Sequence, residues 1–198
     1  MIQRSYMARV TTEAKEETRR RLLHAAGRGF RMHGYGGLGV DTIAEDAGVT
    51  SGAFYTHFRS KAAIFRATLG EGLGQLRTGL GIFQRRYGAR WLRRFATWYL
   101  SAERRTDLAG SCALPSLTLE AARSDDATRK EYDDELRAIA QELRNGLHGE
   151  RKDDRALAIL ALLCGGMSMA HAIRDPKLGA RISRAVVDAA TAIARPLR

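Results

Sequence analysis

Thr42-Ile43-Ala44-Glu45-Asp46-Ala47-Gly48-Val49-Thr50-Ser51-Gly52-Ala53-Phe54-Tyr55-Thr56-His57-Phe58-Arg59-Ser60-Lys61 is the stretch whose reading decides the fold. Val40, Ile43, Ala44 and Ala47 make one short apolar face, which predicts a helix from about Val40 to Ala47. Gly48-Val49 reads as a tight turn. Thr50 or Ser51 then caps a second short helix reaching about His57, and Ser60 caps another that begins at Lys61. Upstream, Leu22, Ala25, Ala26, Gly29 and Phe30 recur at i, i+3, i+4, i+7 and i+8. They form a single buried stripe on a helix from about Thr12 to His33, with Arg19, Arg20, Arg28 and Arg31 outside it. The run Gly34-Tyr35-Gly36-Gly37-Leu38-Gly39 ends that helix, because glycine enters the left-handed conformation cheaply. Two short helices joined by a glycine turn and packed on a long first helix make the helix-turn-helix plan.

Farther along, the helices lengthen. The pattern predicts helices over 60–87, 89–103, 112–123, 126–147, 154–173 and 178–194. Asp175-Pro176 separates the last two, since proline disfavours helical geometry in the residue before it. Only three prolines occur, and no alternating β-branched pattern is present, so the fold class is all-α. The expected organisation is an N-terminal three-helix domain over residues 1–60 and a larger helical domain over 61–198. The helix from Ser60 serves both as a rigid connector.

Composition narrows the partners. With 44% hydrophobic and 28% charged residues the chain is globular rather than disordered. A formal net charge of +11 points to a polyanion: nucleic acid first, an anionic membrane surface second, plain solubility as the alternative. Two cysteines, Cys112 and Cys164, are too few for a disulfide framework or a zinc site of the usual spacing, which fits a reducing cytoplasm. No apolar leader opens the sequence, and the charge-free stretch from Ala156 to Ala172 falls short of the about 20 residues that span a bilayer. A soluble, cytoplasmic protein without cofactor or metal is expected. No nucleophile elbow, phosphate loop or HExxH pair suggests an enzyme.

The N-terminal end of a helix in the major groove meets base edges, and Thr50, Ser51, Gly52 and Ala53 are small enough for close approach there. Phe54 and Phe58, at i and i+4, face the core instead. The whole stretch from Thr42 to Lys61 resembles the DNA-binding signature of the tetracycline-repressor (TetR) family, in register with Leu22-Leu23, Ala25-Ala26, Gly29-Phe30 and Gly34-Tyr35 upstream. The resemblance covers about Arg20 to Leu69. It implies a transcriptional repressor that reads double-stranded operator DNA, and it assigns Tyr55 and His57 to phosphate contact. Lys61, in the first turn of its helix, adds an ammonium to amides that already favour phosphate. Thr42, Thr50, Ser51, Gly52, Ala53, Tyr55, His57 and Lys61 are therefore the candidate DNA contacts. Two positions depart from the family: Gly39 stands where a Thr or Ser cap is usual, and Asp41 where some relatives reach a base. Asp41 either favours the positive end of its helix or accepts from cytosine N4.

The C-terminal part resembles the family's regulatory domain more loosely, through Gly110-x-Cys112-x-Leu114-x-x-Leu117, Glu120 and Asp175-Pro176. The resemblance implies a homodimer joined through the last two helices. Both are apolar on more than one side and so must be buried on more than one side. Leu160, Cys164, Ile182, Val186, Ala189 and Ile193 are the candidate seam. Relatives also bind a small-molecule effector here, whose identity is not written in this sequence. Trp91, Phe95, Trp98, Tyr99, Leu117, Met167 and His171 are the candidate lining, though their spacing equally describes helices packed into a core. Arg77, Arg85, Arg86, Arg90, Arg93 and Arg94 come with no acid between them: a solvated face, an anionic ligand site, or part of the field that steers DNA. Two other readings are a redox-responsive repressor switching through Cys112, and an architectural DNA-binding protein with no ligand.

Overall fold

The computed structural model describes residues 2–195, with side chains from residue 12 onward. Every regular element among the described residues is helical, and two compact units part between Leu69 and Gly70. The N-terminal unit holds α1 (Ile2–Gly37), α2 (Val40–Asp46) and α3 (Ser51–His57), together with the start of α4 (Lys61–Tyr87). The helicity of α1 begins upstream of the expected Thr12 and is interrupted at Gly34, whose φ of 68° and ψ of 176° suit glycine alone. The stripe read from the sequence is the core: Leu22, Ala26 and Phe30 close over Ile43, Ala44, Phe54, Ile64 and Phe65. Phe30 meets Phe65 edge-on, with ring centroids 5.1 Å apart. Gly29 interrupts the stripe for a reason of space, since a Cβ there would sit 2.7 Å from Leu38 Cδ2.

The turn between α2 and α3 is held on both sides. Gly48 takes a φ of 64°, and its carbonyl accepts from Arg21 Nη2 at 3.0 Å. The Val49 amide donates back to the Ala44 carbonyl at 2.9 Å, while Thr50 Oγ1 accepts from the Ala53 amide at 3.2 Å. The cap is therefore Thr50, and it leaves α3 beginning with small residues.

The C-terminal unit contains the rest of α4, a 3-10 turn at Gly88–Arg90, α5 (Trp91–Tyr99), α6 (Ala102–Thr106), α7 (Ala113–Ala122), α8 (Asp126–Asn145), α9 (Lys152–Ala172) and α10 (Pro176–Ala194). The single helix expected over 89–103 is two helices. Leu100 is buried, and its carbonyl accepts from Arg105 Nη1, which also donates to Ser183 Oγ at 2.9 Å. The bond to Ser183 fastens the break to α10, and the same guanidinium gives the Leu100 carbonyl a partner there.

Helices α9 and α10 form the main antiparallel pair. A Cβ at Gly166 would come within 2.8 Å of Val186 Cγ2, so glycine permits the close crossing. At 21 residues α9 is long and apolar enough to cross a membrane by length and composition. It exceeds the charge-free stretch because its first turn adds residues 152–155, and it buries Ile159, Leu160, Leu163 and Met167 within the unit. Arg155 is buried as well. Its guanidinium donates to the carbonyls of Ile193, Ala194 and Arg195 at the end of α10, and to those of His148 and Glu150 before α9.

Candidate nucleic-acid interface

Helices α2 and α3 meet at their N-terminal turns. Gly39, which caps α2 without a side-chain bond, is extended at φ −88° and ψ 158°. Asp41, in the next turn of chain, accepts a hydrogen bond from Ser51 Oγ at 2.5 Å. Around that bond Thr42, Thr50 and Gly52 are exposed, and Ser51 and Ala53 half-buried. A Cβ on Gly52 would meet only Thr50 Oγ1, at 3.8 Å, so the start of α3 is sterically open. Capping uses the acceptor side of the Thr50 hydroxyl and leaves its hydrogen available.

Tyr55 is 58% exposed, its ring set edge-on to buried Phe54 at 5.2 Å. His57 is half-buried at the end of α3. Burial lowers its pKa from 6.5, and the positive charges of Lys15 and Arg19 lower it further, so the imidazole is neutral at neutral pH. Lys61 Nζ lies over the Tyr35 ring at 4.5 Å, in the first turn of α4, and Ser60 Oγ caps that turn by accepting from the Ala63 amide. Arg19 stacks over Phe58 at 5.1 Å. Linear reading missed Lys15 and Arg19 because they are set against His57 only when α1 crosses α3; their signal is a basic outer face on α1.

The candidates in the C-terminal unit separate into distinct places. Phe95 and Tyr99 stack at 5.5 Å and, with Leu76, Leu80, Leu143, Leu160 and Leu163, enclose an apolar void too small for water. Leu117 and Met167 are fully buried, and His171 Nε2 lies 3.2 Å from the Arg104 carbonyl. Trp91 faces a separate cleft and donates from Nε1 to the Gly146 carbonyl at 2.9 Å. Trp98 is 43% exposed, its ring beside Phe83 and Phe95 at 5.4 and 5.7 Å and the Arg104 guanidinium 4.2 Å above it. It shares a face of α5 with Trp91, about two turns away, and differs from it in having less of the chain packed over it.

The seam candidates divide too. Ile182, Val186, Ala189 and Ile193 are half-buried along α10. Leu160 is buried beside Phe95 and Tyr99, and Cys164 lies toward Cys112 and Tyr132, so both face the unit's own interior. The outward apolar positions of α9 are Leu157, Ala158, Ala161, Gly165 and Met169. A stripe drawn through leucines selects the inner face, because the outer one is built largely from small residues. Burial pushes the Cys164 thiol up to about 11.

The N-terminal unit has clear relatives. The description "Bacterial regulatory proteins, tetR family" matches residues 22–68. Over 63 residues the chain is 44% identical to the HTH-type transcriptional regulator TtgR of Pseudomonas putida, covering 32% of this chain and 30% of that protein. The HTH-type transcriptional regulator AcrR of Shigella flexneri is 42% identical over 59 residues, 30% of this chain and 27% of its own length. The match thus spans less than a third of these curated relatives. In fold the likeness runs through both units. A TetR-family transcriptional regulator from Cytophaga hutchinsonii aligns with a TM-score of 0.78 at 18% identity, covering 93% of this chain and 98% of that one. Residues 22–68 thus match the tetR family of bacterial regulatory proteins, and the helical fold of both units is that of a solved TetR-family regulator.

Proposed function

We propose that this protein is a cytoplasmic, homodimeric DNA-binding repressor, released from its operator by a small molecule. The observation that carries the reading is the open start of α3. Thr50, Ser51, Gly52 and Ala53 offer hydroxyls and backbone without bulk, flanked by exposed Tyr55 and by Lys61. Such a helix end fits the major groove, while the tyrosine, the histidine and the lysine suit phosphates. A net charge of +11 favours the polyanion at long range.

In this reading residues 1–60 bind DNA and residues 61–198 regulate and dimerise, with α4 common to both. The outward apolar face of α9, continued by Ile182, Ala185 and Ala189 on α10, suits a two-fold seam between copies. The void beside Phe95 and Tyr99 is where an apolar effector has least packing to displace. A ligand acts only by favouring a dimer geometry whose two recognition helices no longer match successive major grooves. Operator and effector must then weaken one another's binding by the same factor.

A redox switch at Cys112 has less support. The thiol is buried against the Tyr99 hydroxyl, and nearby Cys164 is held protonated at neutral pH.

Selection of bound sequences from random DNA tests the reading. A near-palindromic site is expected, with affinity falling steeply between about 50 and 200 mM salt as counterions are released. Flat salt dependence, or no enriched site, overturns it.

A further inference from the structure

A cleft of about 560 Å³ opens where α4 ends, α5 begins, and α8 and α10 finish. Its floor is Trp91 and Leu92. The indole is fixed by its bond to the Gly146 carbonyl and by contact so close that a Cβ on Gly146 would lie 2.7 Å from Trp91 Cε2. Gln84 is fixed likewise, donating from Nε2 to the Glu142 carbonyl at 2.7 Å. Trp91 and Leu92 are 5% and 4% exposed, so they form a rigid apolar floor rather than an open ring face.

The rim is basic. Arg93, Arg195 and His148 border the cleft, and among the described residues none that lines it is a carboxylate. No acid occurs in the sequence between Glu71 and Glu103, the stretch that supplies the end of α4 and all of α5. Two helices finish here, and their terminal carbonyls would ordinarily repel an anion. Those carbonyls are already engaged. Trp91 takes that of Gly146, and the buried Arg155 guanidinium takes those of Ile193, Ala194 and Arg195. Arg155 brings a full positive charge with carbonyls as its bonded partners, so the wall behind the cleft is cationic rather than anionic.

Arg93 is tied to an acid. Its Nη1 lies 3.0 Å from Asp188 Oδ1, with both side chains more than half exposed, a bridge that exchanges easily for another anion.

We propose that this cleft binds a small organic acid, its apolar body on the floor at Trp91 and Leu92 and its carboxylate between Arg93 and Arg195. Such an acid fits each feature: apolar contact with the floor, a forked bond from a guanidinium, and a site of ordinary ligand volume. The site is separate from the void at Phe95 and Tyr99, and its occupation is measurable without DNA.

Calorimetric titration of the full chain with 2-naphthoate and with its neutral counterpart 2-naphthalenemethanol tests this. The acid is expected to bind at least about tenfold more tightly than the alcohol. Arg93→Gln should weaken the acid about tenfold, whereas Asp188→Asn, which releases Arg93, should strengthen it. If the Arg93–Asp188 pair only fastens α5 to α10, the two substitutions shift binding in the same direction. That result overturns the proposal, as does equal affinity for acid and alcohol, or no binding of the acid at millimolar concentration. Circular dichroism of both variants ensures that folded protein is compared.

Discussion

Ser51 donates its hydroxyl hydrogen to Asp41 at 2.5 Å, joining the first turn of α3 to the first turn of α2. The bond occupies one lone pair of the carboxylate and holds the side chain on the exposed face that α2 and α3 share. A carboxylate held there repels phosphate and, with DNA bound, would accept from cytosine N4. Asp41→Asn is expected to change the preferred base at one position in each half-site, with discrimination altered by about 1–3 kcal/mol. The salt dependence should stay as it was. Parallel selections with the parent and the variant measure this; an unchanged consensus would confine Asp41 to supporting Ser51.

His57 makes a prediction about pH. Its folded pKa lies below 6.5, so the unfolded chain takes up the proton first as pH falls. Its neutral form favours folding fully above pH 6.5, and that contribution is lost on acidification through the lowered value. His57→Gln should therefore lose less stability than the parent between neutral pH and mild acid. Urea midpoints at the two pH values report it, and an equal loss in both proteins would refute the assignment.

The seam makes a prediction about assembly. Met169 is 57% exposed on the outward face of α9, so Met169→Glu should yield monomers of normal helicity with weakened operator binding. An unpaired carboxylate in an apolar interface costs several kcal/mol. Val186→Glu is a poorer probe, because Val186 packs against Gly166 inside the α9–α10 pair. Sedimentation decides: a Met169→Glu dimer places the interface elsewhere.

Arg155 makes a prediction about stability. Arg155→Met fills the space but leaves the carbonyls of Ile193, Ala194, Arg195, His148 and Glu150 without their donor. A loss of about 3 kcal/mol in urea unfolding is expected, since each stranded buried acceptor carries a penalty. A loss below about 0.5 kcal/mol would mean that water replaces the guanidinium at no cost.

Local chemistry made the N-terminal unit legible in the sequence. The Thr50 cap, the glycine turn at Gly48, the break at Gly34 and the stripe from Leu22 to Phe30 each depend on neighbours within a few positions, and each stands where it was expected. Asp175-Pro176 separates the last two helices as read, though Asp175 caps α10 at Pro176, two residues before the expected start at 178. Contacts between residues distant in the chain were not legible. The break after Tyr99 depends on Arg105 reaching Ser183, and helical period puts Trp91 and Trp98 on one face without saying that the first is covered and the second 43% exposed. Spacing placed Leu160 and Cys164 on an apolar face without saying which of two such faces is the protomer's own core. The cleft exists only in three dimensions, since its walls run from Gln84 to Arg195 and its charge depends on an arginine buried behind them. Sequence periodicity determines which positions of a helix share a face. Only packing decides what that face meets, because burial is a property of the neighbours and not of the helix.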